Sequence, residues 1–332
     1  MQDIITLDHG SGGLKTSQLI DEILVPAFAN TALADLGDAA IVPGGGPLVF
    51  STDSFVVTPW RFPGGDIGKL AVCGTVNDLC MAGGEPKYLS CALILEEGFP
   101  LDDLRAVAAS MAAAAREAGV QIVTGDTKVV ARGQGDGVYI NTAGVGGGGP
   151  PGGGGAGGGG GGGRGRGRRP GCHGAAVLMA RGGLPGGAAL QSDCRCLRAL
   201  AAAALDAGGV RILRDPTRGG VATTLNEFVE GGALGIELDE TAIPVDAPVA
   251  AACDLLGLDP LYSACEGRLL AVAAPESAAA VLAALRALPG GEGAARIGTV
   301  TARRPGTVVL RTALGGSRIL AKLTGAQLPR IC

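Results

Sequence analysis

The sequence predicts two α/β domains in tandem, of mixed α+β character, and three observations carry that prediction. The chain has 332 residues, long for one hydrophobic core and suited to two domains of ordinary size. Strand-like and helix-like stretches alternate along it. A glycine-rich break near 145–171 separates the alternation into two runs.

In the first run, "LVFSTDSFVV" (Leu48 to Val57) reads as a strand from its β-branched and aromatic content, and a helix follows from about Asp66 to Ala82. Next come a strand "YLSCALILE", a helix "LDDLRAVAASMAAAAREAG" and strands "QIVTGDTKVV" and "GVYINTAGVG". Asp102 and Asp103 suit the positive end of that helix, and Gly119 closes it. In the second run, helices are expected from about Leu197 to Ala207 and in "GGVATTLNEFVEG", followed by strand "GIELDE" and helix "APVAAACDLLG". Strand "RLLAVAAP", helix "SAAAVLAALRAL" and strands "ARIGTVTA" and "GTVVLRTAL" complete it.

Between Gly144 and Gly171 there are 19 glycines in 28 residues. Such a stretch buries too little apolar surface to offset its ordering entropy, so it reads as a flexible basic linker. A second reading, and the favoured one, is a compensated reading-frame error in a GC-rich gene, because GGG, CGG and CCC codons give Gly, Arg and Pro. Expected boundaries are therefore 1–146 for the first domain, 147–171 for linker or corrupted strand, 172–320 for the second domain, and 321–332 for a mobile tail.

Composition excludes several functions. The chain is 47% hydrophobic and 17% charged with net charge −4, and its apolar runs fall short of the roughly 20 residues a membrane helix needs. Neither a nucleic acid nor a membrane is an expected partner. No basic segment followed by an apolar stretch opens the sequence, so export is not indicated and a cytoplasmic location is expected. Nine cysteines, an odd number, read as free thiols in a reducing compartment. Their spacing lacks the paired hooks of structural zinc.

Acidic residues stand where strands and helices end. Asn77 and Asp78 interrupt an otherwise apolar helix, and a carboxylate there costs several kcal/mol unless paired or metal-bound. Asp38, Asp53 and Asp126 lie at strand ends, and converging hard carboxylates are what Mg²⁺ and nucleotide phosphates require. Lys128 follows on the last strand, where a lysine neutralises phosphoryl charge or acts as a base. "RDPTRGGV" places Asp215, Arg218, Gly219 and Gly220 before a helix, offering amides to an anion. "DHGSGG" (Asp8 to Gly13) is another glycine-rich segment that could cover phosphates. Neither a Walker lysine pattern nor G-x-G-x-x-G is present, so any nucleotide would be held in another way. The chain ends in Cys332, a nucleophilic thiol at a position that ordinarily frays.

These segments, "DHGSGG", "GDAAIV", "STDSFVV", "GTVNDLCMAGGEP", "VTGDTKVV", "LRDPTRGGVATTLNE", "EGR" and the terminal "PRIC", together resemble the HypE family of hydrogenase maturation proteins. That family belongs to the PurM-like, AIR synthetase-like ATP-binding superfamily. The resemblance runs in order over 1–146 and 172–332. It implies a two-domain PurM-like fold whose N-terminal domains pair as a homodimer. It implies that Cys332 receives a carbamoyl group from the carbamoyltransferase HypF, and that ATP-dependent dehydration converts it to a thiocyanate. The cyanide then passes to iron on a HypC–HypD scaffold for nickel-iron hydrogenase. By the same resemblance, Asp38, Asp53, Asn77, Asp78, Asp126, Thr127, Asp215, Arg218 and Gly219 would contact Mg-ATP, with Asp38, Asp53, Asp78 and Asp126 on the metal. Lys128 and Glu266 would assist deprotonation.

Two departures stand out. Cys172 occupies the aspartate position of the family's Gly-Asp-His-Gly, and Cys265 replaces the usual asparagine before "EGR", which puts the role of His173 in question. A ligase or kinase of the same superfamily would share the acidic motifs without needing Cys332. A non-catalytic thiol carrier would need Cys332 without turnover.

Overall fold

The computed structural model describes residues 13–19, 21, 40–43, 46–148, 162–163, 171–184, 190–325 and 330–332. After a short helix α1 (Leu14–Leu19), the first domain is a five-stranded sheet. It comprises β1 (Ala40–Pro43), β2 (Pro47–Phe55), β5 (Glu85–Glu96), β6 (Gln121–Val130) and β7 (Val138–Gly147) in the order β1-β2-β7-β5-β6. Only β5 and β6 run parallel, and the helix between them supplies the crossover that parallel pairing needs. A two-residue hairpin, β3 (Arg61–Phe62) with β4 (Gly65–Asp66), leads into helix α2 (Ile67–Met81).

Helix α2 forms where the sequence places it. Asp66 caps it by accepting the Lys69 N–H at 2.9 Å, and Gly83, at φ 76°, carries the chain out of it. All but Lys69 and Asp78 among its residues are buried, so it is a central core helix rather than an amphipathic surface one. Its close seat on the sheet depends on Gly144 of β7, where a Cβ would lie 2.8 Å from Leu79 Cδ1. Helix α3 (Leu101–Ala118) packs beside it through Val107, Met111, Ala114, Ala115 and Ala118, with Asp102 and Asp103 in its first turn and Gly119 as a left-handed cap.

The second domain holds helices α4 (Cys172–Arg181), α5 (Arg198–Asp206), α6 (Gly220–Val229), α7 (Ala247–Leu256) and α8 (Ala278–Arg286). A four-stranded sheet runs β12 (Gly298–Thr301), β10 (Gly235–Asp239), β13 (Val308–Arg311), β14 (Ser317–Leu320). A three-stranded sheet runs β8 (Gly162–Gly163), β11 (Leu270–Ala273), β9 (Val210–Arg214). Val221, Ala222, Leu225 and Val229 of α6 pack against Ile236, Leu238, Val308, Leu310 and Leu320. The larger core joins the domains, since Leu70, Val72 and Val76 of α2 cluster with Leu200, Ala204 and Leu285. Each such buried Leu, Ile or Val side chain contributes about 1.5–3 kcal/mol.

Besides α1, β1 and the short β3–β4 pair, the described elements α4, β9 and β14 lie outside the sequence-based expectation. Helix α4 starts behind Gly171 at φ 79° without a side-chain cap and is buried almost all round, so neither a start signal nor a polar face marks it. Within the glycine tract, Gly162 and Gly163 pair with Val272 and Ala271 as an edge strand.

The chain terminus, expected as a mobile tail, is seated between the domains. Val56 N–H donates to the Cys332 carbonyl at 3.2 Å and Thr58 N–H to the Arg330 carbonyl at 3.1 Å. Ile331 is 3% exposed within the shared core. The tail docks because it extends the edge of β2 and buries an isoleucine.

Candidate active site

Four segments meet around the terminal thiol. The first is the end of β2, where Ser51, Asp53 and Phe55 share the face turned toward α2 by strand alternation. Asp53 accepts the Ser54 N–H at 2.7 Å. On α2, Asp78 accepts the Ser51 hydroxyl at 2.8 Å, so these two acids border the same strip of β2.

The second segment is the loop after β9. It turns at Gly219 and Gly220, with φ 77° and 61°, and a Cβ on Gly220 would lie 2.6 Å from the Leu261 carbonyl oxygen. Only glycine permits both the backbone angle and this approach. The turn places Asp215 and Arg218 directly before the N-terminus of α6.

The third segment is "CEGR". Glu266 N–H donates to Asp193 Oδ1 at 3.1 Å, Arg195 N–H donates to the Glu266 carbonyl at 3.2 Å, and Arg268 pairs with Asp193 at 3.3 Å with both side chains buried. These bonds fix the Glu266 main chain; the residue is 3% exposed, and its Oε1 has no hydrogen-bond partner among the described residues. The fourth segment is the tail, which brings Cys332.

The electrostatics show which groups face one another. Burial pushes the Cys332 thiol up to about 12; Arg218 opposes that shift, while Glu266 and Asp53 add to it. Arg218 in turn has its charge held chiefly by Cys332, with Asp53, Glu266 and Asp78 assisting against its burial. Burial raises Asp215 to about 6, with Asp53 adding and Arg214 opposing. Glu266 is raised well above the usual carboxylate range by burial first, then by Asp215, Asp193 and Asp53. Asp53 is raised by burial against the pull of Arg218. Among the described residues the site thus sets Arg218 and Cys332 among acids crowded enough to resist ionising together.

The remaining sequence-predicted residues lie elsewhere. Asn77 is fully buried with its amide committed at both ends, Nδ2 to the Arg195 carbonyl at 3.1 Å and Oδ1 to the Leu197 N–H at 2.8 Å. Instead of facing a nucleotide, it stitches α2 to the second domain. Asp126 and Lys128 pair with each other at 2.7 Å, exposed on the outer face of β6. That strand lies three strand spacings, roughly 14 Å, from β2, so a single chain does not bring Lys128 to Cys332. Thr127 stands opposite Leu93 in the pairing, and Gly219 is the N-cap of α6. Asp38 and "DHGSGG" up to residue 12 lie outside the described residues.

Sequence reasoning missed the groups that hold the tail. His173 is fully buried beneath the edge of the Phe62 ring, 5.2 Å between centroids, and is hydrogen-bonded to Ser192 Oγ at 2.7 Å and to the Ile331 carbonyl. Arg181 donates to the Thr58 and Arg330 carbonyls at 2.7 and 2.6 Å. The Arg330 side chain pairs with Asp136. The one available signal was a histidine beside a break, and nothing local marks what it bonds.

The donor set fits Mg²⁺ with phosphate oxygens. Among the described residues no group of three His, Cys, Asp or Glu converges tightly enough to cage a metal, whereas Mg²⁺ characteristically takes one or two carboxylates plus phosphates and water. Asp215 Oδ2 and Glu266 Oε1, both buried without a hydrogen-bond partner, are the kind of atoms a bound ligand would satisfy.

Comparison with known proteins places this arrangement in context. A model of the AIR synthase related protein N-terminal domain matches residues 36–147, and one of its C-terminal domain matches 159–311. The chain is 51% identical to the carbamoyl dehydratase HypE of Cupriavidus necator over 341 residues, covering 99% of this chain and 95% of that protein. A crystal structure of the hydrogenase maturation protein HypE in complex with ATP matches with TM-score 0.80 at 48% identity, covering 99% of this chain and 100% of that one. A structure from a HypE–HypF complex matches with TM-score 0.85 at 41% identity, covering 92% and 99%.

Proposed function

The chain belongs to the HypE family of carbamoyl dehydratases, and from that membership we propose that Cys332 carries the carbamoyl group that this protein dehydrates. The reaction consumes an S-carbamoyl cysteine and ATP and yields an S-cyano cysteine, ADP and phosphate, as a step in hydrogenase maturation. ATP supplies the phosphoryl group that turns the carboxamide oxygen into a leaving group, and that oxygen departs as phosphate. Both N–H protons are lost as the nitrile forms.

The observation that carries this reading is the seat of Cys332 beside Arg218, Glu266 and Asp53. Arg218 is placed to hold charge that develops on the oxygen and phosphate, since a guanidinium presents several donors in a fixed fork. Glu266 is the nearest candidate to accept an N–H proton, its buried Oε1 being without a partner. Asp53, Asp78 and Asp215 would hold Mg²⁺ together with phosphate oxygens, and Asp38 and Asp126 remain proposed ligands.

Two copies are proposed to pair through the outer face of the first-domain sheet, where Phe50, Tyr88 and Ile94 are 43%, 48% and 43% exposed. Asp126, Thr127 and Lys128 lie on the strand that edges this sheet, so Lys128 would reach a reacting group only across that interface. HypF is the proposed carbamoyl donor and a HypC–HypD complex the proposed acceptor, all in the cytoplasm. No helix among the described residues is long and apolar enough to cross a membrane.

The test is the mass of the chain after incubation with HypF, carbamoyl phosphate and ATP. A carbamoyl increment should appear on Cys332 and be replaced by a cyano increment with Mg-ATP. Cys332→Ala should abolish both and Cys265→Ala neither; an adduct on another cysteine would refute the assignment.

A further inference from the structure

The last three residues are gripped from two sides, and the grip is made to main chain. The carbonyls of Arg330 and Cys332 accept the N–H groups of Thr58 and Val56, as an added strand would. Between them the Ile331 carbonyl meets His173 Nε2; Arg330, at φ 55°, bends the chain there. The Arg330 carbonyl also accepts Nη2 of Arg181 at 2.6 Å. Both gripping residues belong to α4, with His173, Val177 and Arg181 at four-residue spacing on one helix face. Val177 is fully buried in the core that also contains Ile331.

The orientation of each hydrogen bond is determined. A carbonyl only accepts, so His173 Nε2 carries a proton; burial lowers the imidazole pKa and keeps it neutral, which leaves Nδ1 as the acceptor. Nδ1 therefore receives the Ser192 hydroxyl at 2.7 Å, and Ser192 Oγ accepts the Cys194 N–H at 3.0 Å. The chain of donors runs one way from Cys194 to the tail. With the imidazole buried against Phe62, neither tautomer nor ring angle is free to change.

We propose that His173 and Arg181 are positioning residues for the tail: they clamp its main chain opposite the Val56–Thr58 edge and so set the depth and angle at which the Cys332 sulfur meets Arg218 and Glu266. They touch no reacting atom. A grip on carbonyls is indifferent to what the sulfur carries, so it seats the thiol, the carbamoylated and the cyano forms alike. This rests on the reading that Cys332 bears the reacting group.

The experiment separates seating from chemistry. The rate of Cys332 alkylation by iodoacetamide, located by fragmentation of the intact chain, reports seating and requires no carbamoyl group. Carbamoyl transfer onto Cys332 and single-turnover dehydration of the carbamoylated chain report the two half-reactions. Removing one charge-assisted or buried hydrogen bond is expected to speed alkylation about tenfold and slow dehydration by about as much, with carbamoyl transfer unchanged or faster, in Arg181→Ala and His173→Ala. Arg181→Lys and His173→Gln, which keep a donor, should recover part of the effect. Unchanged alkylation in both alanine variants, or equal loss of both half-reactions, overturns the proposal. If His173→Ala lowers the melting temperature, Arg181→Ala decides, because that residue is exposed. Absence of a carbamoyl adduct on Cys332 in the unaltered protein, with alkylation responding as expected, would instead remove the functional reading and leave the clamp standing.

Discussion

Arg218 and Cys332 face one another among the acids Asp53, Asp78 and Glu266, and Cys332 is the largest single influence raising Arg218. Because the loop after β9 carries Arg218 and the tail carries Cys332, the pairing exists only when the tail is seated. On the proposed reading, a guanidinium so placed acts in dehydration and not in carbamoyl transfer from HypF.

Arg218→Ala is therefore expected to slow single-turnover dehydration by about 10²-fold, the usual cost of removing one preorganised charge-stabilising donor, while Cys332 still accepts a carbamoyl group. Mass spectrometry of the two half-reactions checks this. Loss of carbamoyl transfer in step with dehydration would show that Arg218 only holds the fold.

Seating of the unmodified thiol should weaken in alkali. An undocked cysteine titrates near 9.0, whereas burial pushes the docked one up to about 12. The docked state therefore binds more protons across that window, and its stabilisation is complete below the lower value and lost as pH rises toward the upper one. Intramolecular fluorescence transfer between a tail label and Trp60 should fall above about pH 9. The carbamoylated chain, having no thiol proton, should show no such fall; identical profiles would contradict the burial argument.

Asp215 offers a second titration, of the same sign for stability and the opposite sign for ligand binding. Its carboxyl is raised to about 6, so ionisation opposes folding of the empty protein while favouring Mg²⁺. Any stability the neutral form confers is complete below the ordinary 3.8 and lost as pH rises through about 6. Asp215→Asn should stabilise the ligand-free chain at neutral pH by roughly 1–3 kcal/mol and abolish the tightening of Mg-ATP binding between about pH 5 and pH 7. Urea melts and calorimetric titration measure the two effects. A variant that binds Mg-ATP normally would take Asp215 out of the nucleotide site.

The sequence made the strands and long helices legible because their signals are local: Asp66 and Gly83 bracket α2, and Asp102, Asp103 and Gly119 bracket α3. The acids at Asp53, Asp78 and Asp215 were legible as polar residues out of place. What joins them was not. Asn77 looked like a ligand because a buried amide on an apolar helix demands partners, and its partners are main-chain groups of residues 195 and 197, far along the chain. His173 and Arg181 bond carbonyls more than a hundred residues away, and a main-chain acceptor leaves no trace in residue identity.

The glycine tract yields the last prediction. The C-terminal-domain match begins at residue 159, inside the tract, and Gly162 and Gly163 pair with Val272 and Ala271 at the edge of the three-stranded sheet. Residues directly opposite in an antiparallel pair share a face, so position 162 faces the same side as Val272. That side borders a shallow, open apolar cleft lined by Leu225, Phe228, Leu270, Val272 and Val300. A strand of glycines brings no side chain to it and adds backbone freedom to the unfolded state. Gly162→Val should therefore stabilise the second domain by about 1–2 kcal/mol, from apolar burial and reduced unfolded-state entropy together. A tract rebuilt as alternating Val and Ile ending in Gly-Asp-His-Gly should gain several times more, and resequencing the gene is expected to restore such a strand. Urea midpoints of the three proteins decide it. If Gly162→Val leaves the midpoint unmoved and protease cuts only within the tract, leaving both domains folded and dehydration intact, the tract is a linker and the cleft is not its place.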